Sequence, residues 1–197
     1  MKKIFMAMCL VWAISTSVYA QLTNVDKTNV QRRCAEKVVQ FQDYVSFIGS
    51  KKKDRETRIY YKSKALNLHI GRGDAYTENG ESKKGVMMQT SSRNISLIKK
   101  TLTRDYLSRL IELKYSDVKI LSSEVCDIKV SDLQRVDDNL YVCTCQYDQE
   151  FVGYRDGRPV YKDITTKHIK CYVTVVATEA GNEYIVVLGD ATVDKTA

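Results

Sequence analysis

The stretch LYVCTCQYDQEFVGYRDGRPVYKDITTKHIKCYVTVVAT, residues 140–178, decides the fold class. Two runs rich in Val, Ile, Tyr and Thr flank Arg155-Asp156-Gly157-Arg158. Asp-Gly accepts the positive φ values of a two-residue hairpin turn, so the stretch reads as two long strands folded back on each other. Val136-Asp137-Asp138-Asn139 and Glu179-Ala180-Gly181-Asn182 mark further turns, giving expected strands over 117–122, 125–134, 140–153, 159–177 and 183–193. These connections are too short for crossover helices, so the sheet is expected to be largely antiparallel. Along the first long strand, Tyr141, Cys143, Cys145 and Tyr147 share one face, and Leu140, Val142 and Thr144 share the other. Neither face is wholly polar. Helices are expected to cover one side and a second copy of the chain part of the other, which makes a homodimer an expectation.

Upstream, the periodicity changes. Thr28-Asn29-Val30-Gln31 has the form of a capping box, and Cys34, Val38, Phe41, Val45 and Ile48 recur at helical spacing, so a helix is expected over 29–49. A second is expected from an Asp54 cap to Gly71, with Ile59, Leu66 and Ile70 as its apolar stripe. The glycine-rich segment 71–85, with Asn79-Gly80, reads as a long loop or loose hairpin, followed by a short edge strand over 85–90. Ile95, Ile98, Leu102, Tyr106, Leu110 and Leu113, after cap candidates Ser92 and Asn94, predict a third helix. The expected fold class is therefore α+β: three N-terminal helices packed on a curved, largely antiparallel sheet of four to six strands.

The first twenty residues have a basic start at Lys2 and Lys3, an apolar run from Ile4 to Ile14, and small residues leading to Ala20. That is the layout of a cleaved secretory signal of bacterial type, and the run is too short for a permanent membrane span. The expectation is a signal peptide over 1–20, a single α+β domain over 21–197, and an exported, periplasmic or secreted product that does not span a membrane. Losing residues 1–20 removes two lysines and no acid, so the formal charge of +7 becomes +5 over 177 residues. The basic clusters Arg32-Arg33, Lys51-Lys52-Lys53 and Lys83-Lys84 are dispersed among acids, which argues against a nucleic-acid partner.

After the leader, five cysteines remain: Cys34, Cys126, Cys143, Cys145 and Cys171. An odd number implies no closed disulfide framework, and small buried hydrophobes are the plain reading. With Asp156-Gly157 as the turn, Cys145 would face His168 and Cys143 would face Lys170, a patch able to bind a metal in part or to activate a thiol. A fourth ligand is not identifiable, so no metal site is assigned; a Cys143–Cys171 disulfide, diagonal across the hairpin, is the stronger alternative. Arg72-Gly73-Asp74 is explained by a glycine turn, and Asn94-Ile95-Ser96 by helix capping rather than glycosylation. Gly-x-Ser-x-Gly, His-Glu-x-x-His, phosphate-loop and Gly-x-Gly-x-x-Gly motifs are absent, so no catalytic residue and no cofactor are assigned.

The order helix, helix, short strand, helix, long antiparallel strands resembles the nuclear transport factor 2-like superfamily, in which a curved sheet wraps the helices into a cone. The chain also resembles a group of uncharacterised exported bacterial proteins through its Tyr154-Arg155-Asp156-Gly157 hairpin. The superfamily resemblance implies a cone that hosts enzymes, ligand carriers or interaction domains, so fold alone does not choose among them. An isomerase of this kind requires an acid opposite a tyrosine in an apolar site. Asp105, Glu112 and Asp148 are the candidate acids, and solvent exposure is the cheaper reading of each. Phe41, Tyr44, Tyr61, Tyr106, Tyr141 and Tyr147 are the residues expected to line a pocket. The leading expectation is a non-enzymatic binding or protein-interaction module for a small apolar ligand or an envelope protein. The alternative is a small isomerase or dehydratase acting on an apolar substrate.

Overall fold

A computed structural model of the chain describes residues 22–92, 95–121 and 124–194; the expected signal peptide and the Asn94 cap lie outside the described residues. Helix α1 spans Asn24–Gly49 and begins earlier than its apolar periodicity suggests. Thr23 is the N-cap: its hydroxyl accepts from Asp26 N, and the Asp26 carboxylate accepts in return from Thr23 N at 3.0 Å. Thr28, expected as the cap, instead lies inside the helix and donates to the Asn24 carbonyl at 3.1 Å. The expected face is the buried one: Val30, Cys34, Val38, Phe41, Val45 and Ile48 are all in the core.

Helix α2, Arg55–Leu66, starts from the expected Asp54 cap, whose carboxylate accepts from Thr57 N at 2.7 Å. Its buried residues are Arg58 and Ala65, whereas Ile59 is exposed. The stripe is displaced because Arg58 has a task inside: it donates to the Ile48 carbonyl at 2.8 Å and to the Ile111 carbonyl. One guanidinium thereby satisfies the open C-terminal carbonyls of two helices and complements their negative ends. Beyond α2, Arg72-Gly73-Asp74 sits in a tight turn where Gly71, Arg72 and Gly73 all have positive φ.

A hairpin of β1 (Tyr76–Glu78) and β2 (Glu81–Lys83) follows, then β3 (Met87–Ser92), β4 (Ile95–Leu102), α3 (Thr103–Ile111) and β5 (Asp117–Leu121). Short β6 (Lys129–Val130) and β7 (Gln134–Arg135) precede the long strands β8 (Leu140–Arg155), β9 (Arg158–Thr178) and β10 (Gly181–Val193). The main sheet has eight strands in the order β4-β3-β10-β9-β8-β5, with β6 and β7 also on β8, and is antiparallel except where β3 meets β10. Glu78 docks the small hairpin on the outside of this sheet, accepting from Lys170 Nζ at 2.8 Å and from the Tyr172 hydroxyl; hydrogen bonding to Lys170 is the main cause that holds its carboxyl below the ordinary value. No helix among the described residues is long and apolar enough to cross a membrane.

The α+β class stands, but the expected layout does not: α3 follows four strands, so the helices are not all N-terminal, and the sheet has eight strands rather than four to six. One misread segment accounts for much of the difference. The first part of the expected third helix, 95–102, is strand β4, paired from Leu102 opposite Met87 to Ile95 opposite Ser92. Ile95, Ile98 and Leu102 match a helical spacing, yet backbone pairing with β3 overrides local pattern. It also moves β3 from the expected edge to an interior position between β4 and β10. The expected strand over 125–134 is broken by a 3-10 turn at Val125–Asp127, leaving β6 and β7.

A second difference sits in the long hairpin. Asp156 and Gly157 have φ of 52° and 77° and form the expected turn, with Tyr154 opposite Pro159. At Gly153 the register then shifts by one residue. A Cβ on Gly153 would stand 2.7 Å from the Tyr115 ring, so the glycine lets that ring lie against the strand. Because side chains alternate, a one-residue shift changes every partner beyond it. Cys143 faces Cys171 directly instead of Lys170, and His168 pairs with Gln146 and bonds Asp194 at 3.0 Å on the outside. The expected patch of two thiols and an imidazole is therefore not formed.

Candidate functional site

The inner face of the β8–β9 hairpin runs through the cross-strand pairs Tyr141–Val173, Cys143–Cys171, Cys145–Ile169, Tyr147–Lys167, Gln149–Thr165 and Phe151–Asp163. The pairs from Tyr141 to Ile169 are part of the apolar core that α1 contributes to. Further toward the turn the same face turns polar and opens into a cleft of about 310 Å³. Its floor is Gln149, Phe151, Tyr161, Asp163, Thr165 and Lys167. Tyr106, Arg109 and Leu110 of α3, with Leu113 and Tyr115, form one wall, and Thr90, Ser91, Lys99 and Thr101 of β3 and β4 form the other.

The chemistry of this cleft lies in groups that folding has taken out of water. Lys167 is 5% exposed. Its ammonium lies 5.2 Å from the centre of the Tyr106 ring and donates to the Met88 sulfur at 3.9 Å. Burial pushes its pKa down to about 8, against a smaller opposing pull from the Asp163 charge. Asp163, also 5% exposed, accepts from the Tyr161 hydroxyl at 2.8 Å through one oxygen, while its Oδ1 is buried without a hydrogen-bond partner among the described residues. Burial pushes the Tyr106 hydroxyl up to about 12, so it stays a neutral donor. Gln149 and Thr165 are buried too. A half-satisfied carboxylate and a thinly solvated amine are costly arrangements, and both would gain from a ligand bearing complementary groups.

Of the six residues expected to line a pocket, Tyr106 lines this cleft. Tyr44 and Tyr61 pack against each other between α1 and α2, with ring centres 5.7 Å apart. Phe41 and Tyr147 are core residues, Phe41 edge-on to His69 at 4.8 Å, and Tyr141 is buried at the far end of the hairpin. Asp105, Glu112 and Asp148, the acids considered on sequence, are not among the lining residues; the acid in the cleft is Asp163. Its signal was visible in principle, since Asp163, Thr165 and Lys167 alternate along β9, but alternating polar residues read as a solvated face until α3 and β4 are placed over them.

Tyr147 supplies a direct check of this description. Its hydroxyl is buried beside Lys167 on the facing strand and has no hydrogen-bond partner among the described residues. Tyr147→Phe is expected to leave stability unchanged or raise it by about 1 kcal/mol, measured by urea unfolding, because the hydroxyl is desolvated without return. A loss larger than that would mean the hydroxyl is bonded in solution.

Fold and cleft together define an α+β domain whose continuous inner sheet face serves as core at one end and lines a mixed polar and apolar cleft at the other. Comparison of the chain with protein-family models, with curated proteins and with solved structures returns no match.

Proposed function

We propose that this protein is an exported, non-enzymatic binding module, and that the cleft over β8 and β9 holds a small ligand with an apolar body and an acidic group. The observation that carries the reading is Lys167, a cation buried in a cleft with no carboxylate among the described residues within salt-bridge distance of it. Lys99 and Arg109 add positive charge at the walls, against the single acid Asp163. Leu110, Leu113, Phe151 and Tyr115 offer apolar contact, and Tyr161, Gln149 and Thr165 offer oriented polar groups. A few convergent polar groups on an apolar wall are what small-molecule sites have in common, and this volume suits a compact ligand.

The test uses 4-phenylbutyrate as the probe and its methyl ester as control, followed by calorimetry and by NMR shifts of the tyrosine rings. The carboxylate is expected to bind at pH 7 and to weaken at pH 9 as Lys167 loses its proton. Lys167→Met is expected to weaken it at least tenfold, the scale of one charge-assisted hydrogen bond. Equal affinity of acid and ester, or of wild type and variant, would remove Lys167 from the site. A second reading, an isomerase or dehydratase, is favoured by one specific observation: the Asp163 carboxylate lines the cleft bonded to the Tyr161 hydroxyl through one oxygen, with Oδ1 buried and without a hydrogen-bond partner among the described residues, so a base beside a tyrosine is present as proton abstraction needs. Turnover lost in Asp163→Asn, with probe binding kept, would select that reading.

A further inference from the structure

At the core end of the same sheet face, four thiols from three elements converge. Cys34 comes from α1, Cys143 and Cys145 from β8, and Cys171 from β9, and all are buried. The sulfurs of Cys34 and Cys143 are 3.6 Å apart, and those of Cys145 and Cys171 are also 3.6 Å apart. Cys34, Cys143 and Cys171 lie mutually within 4.8 Å. We propose that these four residues are a disulfide site, oxidised as Cys34–Cys143, which ties α1 to the sheet, and Cys145–Cys171, which crosses the β8–β9 hairpin.

The close contacts select the pairing. Each sulfur is used once, and neither bond asks for neighbours on one strand, as Cys143 with Cys145 would. Each bond requires the two sulfurs to close from 3.6 Å to the roughly 2.05 Å of an S–S bond. Charge decides between disulfides and a metal held by the same sulfurs. A divalent ion on four thiolates would bury a net double negative charge among Val30, Val38, Ile169 and Val173, whereas two disulfides are neutral. Each bond forms by exchange with a small disulfide donor such as oxidised glutathione. One protein thiolate attacks the donor and releases one donor thiol; the partner thiolate attacks the mixed disulfide and releases the second, the two thiol protons ending on the released thiols. Because the sulfurs are sealed in the folded core, exchange precedes the docking of α1. The inference does not depend on what the cleft binds; in the cell it needs an oxidising compartment, which export supplies.

The full chain, refolded in a glutathione redox buffer, is blocked with iodoacetamide, digested without reductant and mapped by mass spectrometry. The expected product is the peptide carrying Cys143 and Cys145 joined to those carrying Cys34 and Cys171, with fragment ions placing Cys34 on Cys143. Reduction is expected to lower the melting temperature by roughly 10 °C, and the Cys34→Ser, Cys143→Ser double variant to lose part of that shift. Recovery of the four residues alkylated overturns the proposal, as does Cys143 bonded to Cys171 with Cys34 alkylated. Four free thiols carrying stoichiometric zinc in native mass spectrometry would overturn it in favour of a metal centre.

Discussion

Lys167→Met is expected to raise folding stability at pH 7 by about 3 kcal/mol while weakening binding of an acidic ligand at least tenfold. The burial that lowers this lysine from 10.5 to about 8 is a penalty on the folded state, and each unit of that difference corresponds to about 1.4 kcal/mol. Below about pH 8 both folded and unfolded chains hold the proton, and the whole penalty is present. Between about 8 and 10.5 the unfolded chain holds more protons than the folded one, so stability rises with pH. Methionine has no such group and fills similar space beside Met88 and Tyr106. Urea unfolding of both proteins from pH 7 to 10.5 should therefore show a gap of about 3 kcal/mol closing toward zero. The comparison cancels other groups that titrate there, such as the raised tyrosines. A pH-independent gap would show that Lys167 is not held as described. A residue that costs stability and gains from an anion is the signature expected of a binding group rather than a packing group.

The second large effect lies on the acid side and belongs to His69. This residue is 1% exposed, edge-on to Phe41, with Nδ1 donating to the Ala65 carbonyl at 2.9 Å and Nε2 buried without a partner among the described residues. Burial pushes its pKa down to about 4 from 6.5. Below 6.5 the unfolded chain takes up a proton that the folded chain refuses, so stability falls with falling pH until about 4, by about 3 kcal/mol. His69→Asn keeps a donor for Ala65 and is expected to be less stable at pH 7 through the space it leaves, but to lose this part of the acid slope. Thermal or urea unfolding from pH 7 to 4 checks it. Equal slopes would mean that His69 is protonated inside the fold, with a partner for Nε2.

Much of the local structure was legible in the sequence for a plain reason: it rests on short-range chemistry. Asp156-Gly157 dictates a tight hairpin because few residues tolerate positive φ, Asp54 caps α2 because its carboxylate reaches the amide three residues on, and the periodicity of Cys34 to Ile48 belongs to one helix face. Even so, the cap of α1 was misplaced by five residues, since Thr23-Asp26 and Thr28-Gln31 both have capping chemistry and only the extent of packing chooses between them.

What required the tertiary structure was every decision taken between elements. Residues 95–102 carry apolar spacing compatible with a helix, and only the presence of β3 as a pairing partner makes them β4. The register shifts at Gly153, where the Tyr115 ring from nearly forty residues upstream lies against the strand, and the shift decides that Cys143 meets Cys171 and that Lys167 meets Tyr147. The cleft follows in turn, because the alternating Asp163, Thr165 and Lys167 become a buried floor once α3 and β4 close over them. By itself the sequence determined the hairpin turns, the Asp54 cap of α2 and an α+β composition with a mainly antiparallel sheet. Register, strand number and the location of the candidate site came from contacts between distant residues, whose energies no local pattern encodes.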